Sequence, residues 1–361
     1  MHDMTSNYTS WELKILTNYQ FHKLSQIDRF KYLVHFGHLA SSTHNTQPWA
    51  FKQVGNSIQI YLDNSRVLPA SDIIGRQACV SIGCALGNII VAAKSYGYFS
   101  SLKWEISGDK IPSHKYVLVA TINLGKSKID KVSLKYLPAI LTRRIERRRH
   151  DVSKDFPVSF YKSLKKILSS LNEIDSRIWH RGDPRIYLVA ELQSQADTYV
   201  ANSAKFSKEL ADWLLPNNTK KFLGMPGSTF NLTDTQTVEV IEGLANKSKM
   251  HADSLAGFSS SGKKGIESAA IIAMLTVTKQ SIKNWVSVGI VLSNVQNLVE
   301  FHGGGLAVHA GLAEVTLVRM SLSAMGMTMT QPVILFRAGI RDESTARLPH
   351  APRLPLGQVL L

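Results

Sequence analysis

One stretch of this 361-residue chain gathers charge able to do chemistry: Arg143-Arg144-Ile145-Glu146-Arg147-Arg148-Arg149-His150. Guanidiniums grip phosphate through planar, paired hydrogen bonds, so a phosphate-sized anion suits this cluster. The plain alternative is a solvated basic turn. Glu146 opposes an anion unless it turns away or pairs with an arginine. The chain carries a formal net charge of +15. Even so, it has no zinc-finger spacing, aromatic RNA-recognition signature or basic region leading into heptads, so nucleic acid is not the expected partner. A second polar stretch, Ser41-Ser42-Thr43-His44-Asn45-Thr46-Gln47-Pro48-Trp49, ends at a proline and reads as a loop.

Other chemistries find less support. The histidines lack ligand spacing, so no metal site is expected. Ser228 sits in Gly227-Ser228-Thr229, which is not a nucleophile elbow. Gly303-Gly304-Gly305 follows a helical pattern and reads as a helix end or loop, not a dinucleotide fingerprint. Cys79 and Cys84 lie five apart in an apolar run, where they would point apart on a helix, and are expected to be reduced and buried. No residue is singled out as a catalytic acid or base.

The length favours two lobes over a single core. Apolar residues make up 44% and charged residues 19%, an ordinary globular balance. No apolar run approaches the length of a bilayer span, so no membrane association is expected. The amino-terminal MHDMTSNYTSWELK lacks a charged segment followed by an apolar one, so no secretory leader is expected either. With the reduced cysteines, this points to the cytoplasm.

The elements that must position the two polar stretches follow from periodicity. Ser25 to Ala40 reads as a helix, with Ile27, Phe30, Leu33, Val34 and Leu39 on one face and Ser25 with Asp28 as a capping start. Ala50–Val54 and Ser57–Leu62 form a hairpin around Gly55-Asn56. Gly75 to Tyr96 is a long apolar helix, and Leu102–Ile106 and Tyr116–Leu124 are strands. Pro157 opens an amphipathic helix through Phe160, Leu164, Ile167 and Leu171. Arg185 to Leu215 is mostly helical, Pro216 to Thr235 is loop-like, and Ser268–Val277 is a core segment. Asn284–Phe301 is a second long helix, Val333–Arg337 is a late strand, and the proline-bearing end is an extended arm.

The two long helices repeat one another. Val80-Ser81-Ile82-Gly83-Cys84-Ala85-Leu86-Gly87-Asn88 aligns with Val286-Ser287-Val288-Gly289-Ile290-Val291-Leu292-Ser293-Asn294 at a constant offset of 206, and Gly97 stays in register with Gly303. A helical glycine costs about 1 kcal/mol relative to alanine. Keeping one at the same place in both copies predicts close helix–helix approach there.

The segment Ala40-Ser41-Ser42-Thr43-His44-Asn45-Thr46-Gln47-Pro48-Trp49 resembles the nitroreductase superfamily motif Ala-Pro-Ser-x-x-Asn-x-Gln-Pro-Trp, with Ser41 in the proline position. Its His-Asn-Thr-Gln-Pro-Trp form looks like the Acg-like branch, a single chain with two nitroreductase lobes. Further pieces are similar: Arg66-x-x-Pro69-x-x-Asp72-x-x-Gly75-Arg76, Phe206-x-x-Glu209-Leu210-x-x-Trp213-Leu214, Gly224-Met225-Pro226-Gly227-Ser228, Gln331-Pro332 through Arg337-x-Gly339, and Pro352-Arg353-Leu354-Pro355-Leu356.

The resemblance implies an α+β nitroreductase-like fold of two pseudo-twofold-related lobes, each a mainly antiparallel sheet flanked by helices. The lobes would cover 1–138 and 139–361, with a lid-like insertion near 216–235 and an arm at 340–361. It further implies FMN at the seam. Ser41, Ser42, His44, Asn45 and Gln47 would come from the loop, Arg76 from the long helix, and Arg353 from the arm. Arg143, Arg144 and Arg148 would take the phosphate. Ile145 replaces the family's serine there, and a Thr-Asn-Arg triplet in the related branch makes Arg148 the favoured arginine. Trp49 could wall the site. The region after Leu171 lacks a matching loop, so one FMN per chain is expected and one chain suffices. The implied activity passes electrons from NAD(P)H to a small acceptor of nitroaromatic or quinone type. The alternative is a protein that sequesters or stores FMN beneath a lid.

Overall fold

The computed structural model describes residues 6–171, 173–246, 252–328 and 330–361, with 252–259 by backbone alone. Residues 1–5 of the stretch read for a leader lie outside the described residues. Two helices open the chain, α1 (Asn18–Lys23) and α2 (Gln26–His38). Ser25 caps α2 as its sequence indicates: its hydroxyl accepts from the Asp28 amide at 3.2 Å. The hairpin β1 (Trp49–Val54) and β2 (Ser57–Asp63) closes with Val54 opposite Ser57, and Gly55 takes φ 55° in the two-residue loop. Next come α3 (Arg76–Ser95), β3 (Phe99–Trp104) and β4 (Tyr116–Leu124). Asp72 caps the start of α3 with one carboxylate oxygen on the amide of Gln77 and the other on that of Ala78. The four strands form an antiparallel sheet in the order β1-β2-β4-β3. Helix α4 (Lys131–Thr142), capped by Asp130, packs against α3 and leads out of this lobe, running through the boundary expected near 138.

The second lobe repeats the plan. After α5 (Val158–Leu168) and β5 (Ile174–His180) come α6 (Arg185–Asn202) and α7 (Ala204–Trp213), a short parallel pair β6 (Leu214–Leu215) and β7 (Met225–Pro226), then α8 (Asp234–Ala245) and α9 (Ala252–Glu267). Strand β8 (Ile271–Val277), α10 (Ile282–Phe301), β9 (Gly304–Val308), α11 (Gly311–Glu314), α12 (Thr316–Ala324) and β10 (Gln331–Ile340) complete it. The sheet order is β5-β8-β10-β9, again antiparallel. Substituting β5, β8, β9 and β10 for β1, β2, β3 and β4 converts one order into the other, and α3 and α10 each precede the third strand. Where the first lobe has the Gly55-Asn56 loop, the second inserts everything from α6 to α9. The protein is thus α+β with two antiparallel sheets.

The central contact is between the repeated helices. A Cβ built on Gly83 would lie 1.9 Å from the Val286 carbonyl oxygen, and one on Gly289 would lie 2.0 Å from that of Val80. Exchanging the lobes exchanges these contacts, the mark of a local twofold axis. Only glycine permits this approach. One continuous core runs through both lobes, and all seven residues of β8 are buried. A separate cluster lies between β8, α6 and α12, and a small one binds α7, β6, β7 and α8. Helix α3 is long and apolar enough to cross a membrane, but 89% of its most apolar window is buried inside the protein. Cys79 and Cys84 are free and buried.

Three local readings change. Only Gly303, at φ 76°, ends a helix, and Gly304 and Gly305 belong to β9. The stretch 216–235, expected to be loop-like, contains β7 and a 3-10 turn at Gly227–Phe230, whereas Arg185–Leu215 is mostly helical as expected. Trp49 is fully buried core, its indole N–H donating to His38 Nδ1 at 3.0 Å, and does not wall the cavity described below.

Candidate functional site

The loop between α2 and β1 is held in a costly shape. His44, Asn45 and Gln47 take φ of 49°, 57° and 50°, a left-handed region that L-residues with side chains occupy at a price in strain. The surroundings fix it. Asn45 Nδ2 donates to the carbonyls of Gly224 and Pro352, both at 2.9 Å, while its Oδ1 accepts from Arg353 at 2.5 Å. Gln47 Nε2 donates to the Phe222 carbonyl at 2.7 Å, and its Oε1 accepts from the Leu354 amide at 3.0 Å. The two amides therefore bind the insertion and the carboxy-terminal arm to the loop. Below them, buried His38 donates from Nε2 to the Leu354 carbonyl at 2.7 Å.

Beside this loop lies a cavity that opens to solvent. Ser41, Ser42 and Asn45 line it from the first lobe, Arg143, Arg144, Ile145 and Arg147 from the start of the second, and Met225 and Thr229 from the insertion. The arm contributes Pro349, His350, Ala351 and Arg353, and Trp11 closes the remaining side. The Trp11 ring stacks on His350 with centroids 3.7 Å apart and lies beneath the Arg353 guanidinium at 4.8 Å.

Four arginines meet here and no carboxylate lines the cavity among the described residues. Arg143 Nη2 donates to the Leu39 carbonyl at 2.5 Å, and Arg144 Nε to that of Leu348 at 3.1 Å. Arg147 Nη1 donates to the Thr229 carbonyl at 3.0 Å, with its guanidinium over the Phe230 ring. Arg353 Nη2 donates to the Ala40 carbonyl at 2.9 Å, while its buried Nε has no partner among the described residues. Burial pushes Arg143, Arg144 and Arg147 down to about 10, and Arg353 well below its usual value. Buried positive charge without a counter-charge is costly. Nearby Glu300, paired with Arg341 at 2.7 Å and Arg347 at 2.8 Å, offsets the burial of Arg143 and Arg144 only in part. His44 does not line the cavity. Burial first, then Arg147, lowers it to about 4, so it is neutral at pH 7.

Several expected residues lie elsewhere. Arg148 turns away: its Nε and Nη2 donate to the Glu146 carboxylate, each at 2.8 Å, and Nη1 to the Ala346 carbonyl at 2.8 Å. Glu146 thereby pairs with an arginine and is not among the residues that line the cavity. Arg76 is buried at the start of α3, with Nη2 on Glu314 at 2.8 Å. Gln47 is not among the residues that line this cavity, and it holds Phe222 and Leu354 instead. From Ile145 to Arg148 the side chains alternate: Ile145 and Arg147 line the cavity, whereas Glu146 and Arg148 pair with each other. That signal was available for Arg147. Trp11 and His350 had none, because nothing local marks two distant segments as neighbours. Among the described residues no cluster of metal-ligating side chains occurs.

Fold and cavity together define an α+β protein of two closely packed lobes with an arginine-lined cleft between them. No family model matches the chain. A Mycobacterium tuberculosis protein provisionally named an NAD(P)H nitroreductase is 30% identical over 112 residues, 31% of each chain. The M. tuberculosis protein acg, provisionally named likewise, is 36% identical over 70 residues, 19% of this chain and 21% of that protein. The chain thus spans about a third or less of the length of the curated relatives it matches. Over these segments the chain is similar to proteins provisionally named as nitroreductases, acg among them. Among solved structures, the FMN-dependent nitroreductase NfnB from Mycobacterium smegmatis, in complex with NADPH, matches with TM-score 0.38 and 12% identity over 63% of this chain and 97% of that one. A provisionally named nitroreductase from Anabaena variabilis matches with TM-score 0.47 and 10% identity over 79% and 69%.

Proposed function

We propose that this protein is an FMN-dependent oxidoreductase that takes electrons from NAD(P)H and passes them to a small electron-poor acceptor of nitroaromatic or quinone type. The observation that carries this reading is the basic lining of the cavity: Arg143, Arg144, Arg147 and Arg353 converge on its wall, and no carboxylate among the described residues lines it. An anionic group stabilises such a cluster, and a flavin mononucleotide phosphate has the charge and the size. The residues present fit the rest of the molecule. Ser41 and Ser42 offer hydroxyls, and Trp11, Ile145, Met225 and Pro349 offer apolar surface.

When bound, FMN supplies the hydride and electron chemistry. The protein's part is then binding and shielding. Arg147 and Arg353 hold the phosphate, with Arg143 and Arg144 beside them, while Arg148 serves Glu146. Asn45 and Gln47 keep the insertion and the arm closed over the loop, which limits access of water. One such site per chain suffices: residues 39–48 link α2 to β1, but only 169–173 link α5 to β5, too few to form the same loop.

The hydrogen bonds from Asn45 and Gln47 to the insertion also favour a second reading, in which the cover retains FMN without turnover. One experiment separates them. A yellow preparation that releases FMN on heating supports the cofactor, and anaerobic NADH or NADPH should then bleach it within seconds. Tightly held FMN that neither nucleotide bleaches supports sequestration. A colourless protein that takes up no FMN overturns both.

A further inference from the structure

Behind the basic segment lies a buried guanidinium with no carboxylate partner. Arg337, in the middle of β10, is 1% exposed and makes no ion pair among the described residues. Its donors all go to neutral acceptors. Nη2 donates to the Arg147 carbonyl at 2.8 Å and Nη1 to that of Arg148 at 3.0 Å. Nη1 also meets His150 Nδ1 at 3.1 Å, and Nε donates to His309 Nε2 at 3.2 Å.

These contacts assign both rings. Since each accepts from Arg337, His150 must carry its proton on Nε2, where it donates to the Gly305 carbonyl at 3.0 Å. His309 must carry its proton on Nδ1, where it donates to Gln193 Oε1 at 3.0 Å. Both rings are neutral, as burial and the arginine itself require. Space is cleared for this group by two glycines. A Cβ on Gly265 would lie 2.6 Å from Arg337 Nη2, and one on Gly339 would lie 2.7 Å from His150 Cγ. Such an arrangement is rigid: the side chain leaves a sheet, its fork is filled, and its acceptors are themselves held.

We propose that Arg337 is the positioning residue of the anion cradle, holding the carbonyls of Arg147 and Arg148 so that the Arg147 guanidinium faces the cavity while that of Arg148 faces Glu146. A register error of one residue in that extended segment would present Glu146 and Arg148 to the ligand in place of Ile145 and Arg147. The carbonyl clamp prevents that exchange. Arg337 touches no ligand itself and acts through Arg147. This rests on the anion-binding reading given above.

The test compares FMN with riboflavin, which lacks the phosphate, by fluorescence titration of the whole chain. The wild type is expected to bind FMN more tightly than riboflavin. Arg337→Met, which keeps the stem and removes the donors, should weaken FMN about tenfold or more, equivalent to about 1.4 kcal/mol, and leave riboflavin within about threefold. Arg337→Lys, which retains charge and point donors, should restore part of the preference and provides a folded variant if the methionine form is insoluble. On an Arg147→Ala background, Arg337→Lys should change FMN affinity by less than about threefold, because the residue through which it acts is gone. Equal losses for FMN and riboflavin, or the same loss with and without Arg147, would reduce Arg337 to a structural residue and overturn the proposal. A wild type that binds riboflavin as tightly as FMN defeats the anion reading instead.

Discussion

Replacing Gly83 by alanine tests the seam at its narrowest point. The new methyl would stand 1.9 Å from the Val286 carbonyl oxygen and 2.7 Å from the Gly289 Cα. Ordinary contact begins near 3.4 Å, so α3 and α10 must part by more than an ångström or bend. Both atoms are backbone, in buried helices, and no side-chain rotation relieves them. A gap of 0.5–1 Å already forfeits about a quarter to a half of the dispersion attraction between facing atoms, and overpacking of this kind costs about 1–3 kcal/mol or more. The better helix propensity of alanine returns about 1 kcal/mol. The net expectation is a loss of about 2 kcal/mol, read as a lower urea midpoint with unchanged slope. Gly289→Ala should cost the same within error, since its methyl meets the Val80 carbonyl oxygen at 2.0 Å. The double variant should cost less than the sum, because one separation relieves both clashes. Gly37→Ala is the milder comparison: its methyl meets Ile89 Cγ1 at 2.6 Å and Cδ1 at 2.7 Å, side-chain atoms, with the nearest backbone atom, the Ala85 oxygen, at 3.1 Å. A neutral or stabilising Gly83→Ala, or a Gly37→Ala costlier than either, would refute this account of the interface.

Other expectations concern the cavity and its supports. Arg147→Ala should weaken FMN retention by about 1.5–3 kcal/mol, the worth of a hydrogen bond to a charged group, whereas Arg148→Ala should change it far less; equilibrium dialysis decides, and the reverse order would contradict the placement of the two arginines. Asn45→Ala removes bonds to Gly224, Pro352 and Arg353, so proteolysis within 216–224 should quicken while the melting of the core is little changed. Finally, burial lowers His38 to about 3, below its unfolded value near 6.5. Its contribution to stability is therefore complete above pH 6.5 and is lost as pH falls from 6.5 toward 3, by up to about 1.4 kcal/mol per unit. The stability gap between wild type and His38→Gln should narrow between pH 7 and pH 5, as measured by urea midpoints.

Much of the scaffold was legible because its signals are local. Ser25 and Asp28 mark a helix start, Gly55-Asn56 marks a hairpin, and the shared Val-Ser-x-Gly pattern marks two helices that press together. Strand β9 was hidden for the opposite reason. Gly304 and Gly305 look like a turn, yet they are strand residues whose missing side chains make room for Phe156, 2.6 Å from one absent Cβ, and Glu146, 2.4 Å from the other. That need arises from distant segments and leaves no periodic trace. Strand β5 was equally faint, since only Ile174 and Trp179 of its seven residues are buried. At the site, the loop and the basic cluster were found together, but the choice between Arg147 and Arg148 turned on which face of an extended chain Glu146 shares. Trp11 and His350 entered only through their contact across more than three hundred residues.

The bond from Arg353 to Asn45 joins positions 308 apart in sequence. Contacts of such separation form late, since a long loop must close before they repay its entropy. A nascent chain could therefore complete both sheets and still possess no cleft, and flavin uptake would mark the final step of maturation. Refolding followed by tryptophan emission and by flavin quenching should then show two phases, with the cofactor signal always trailing.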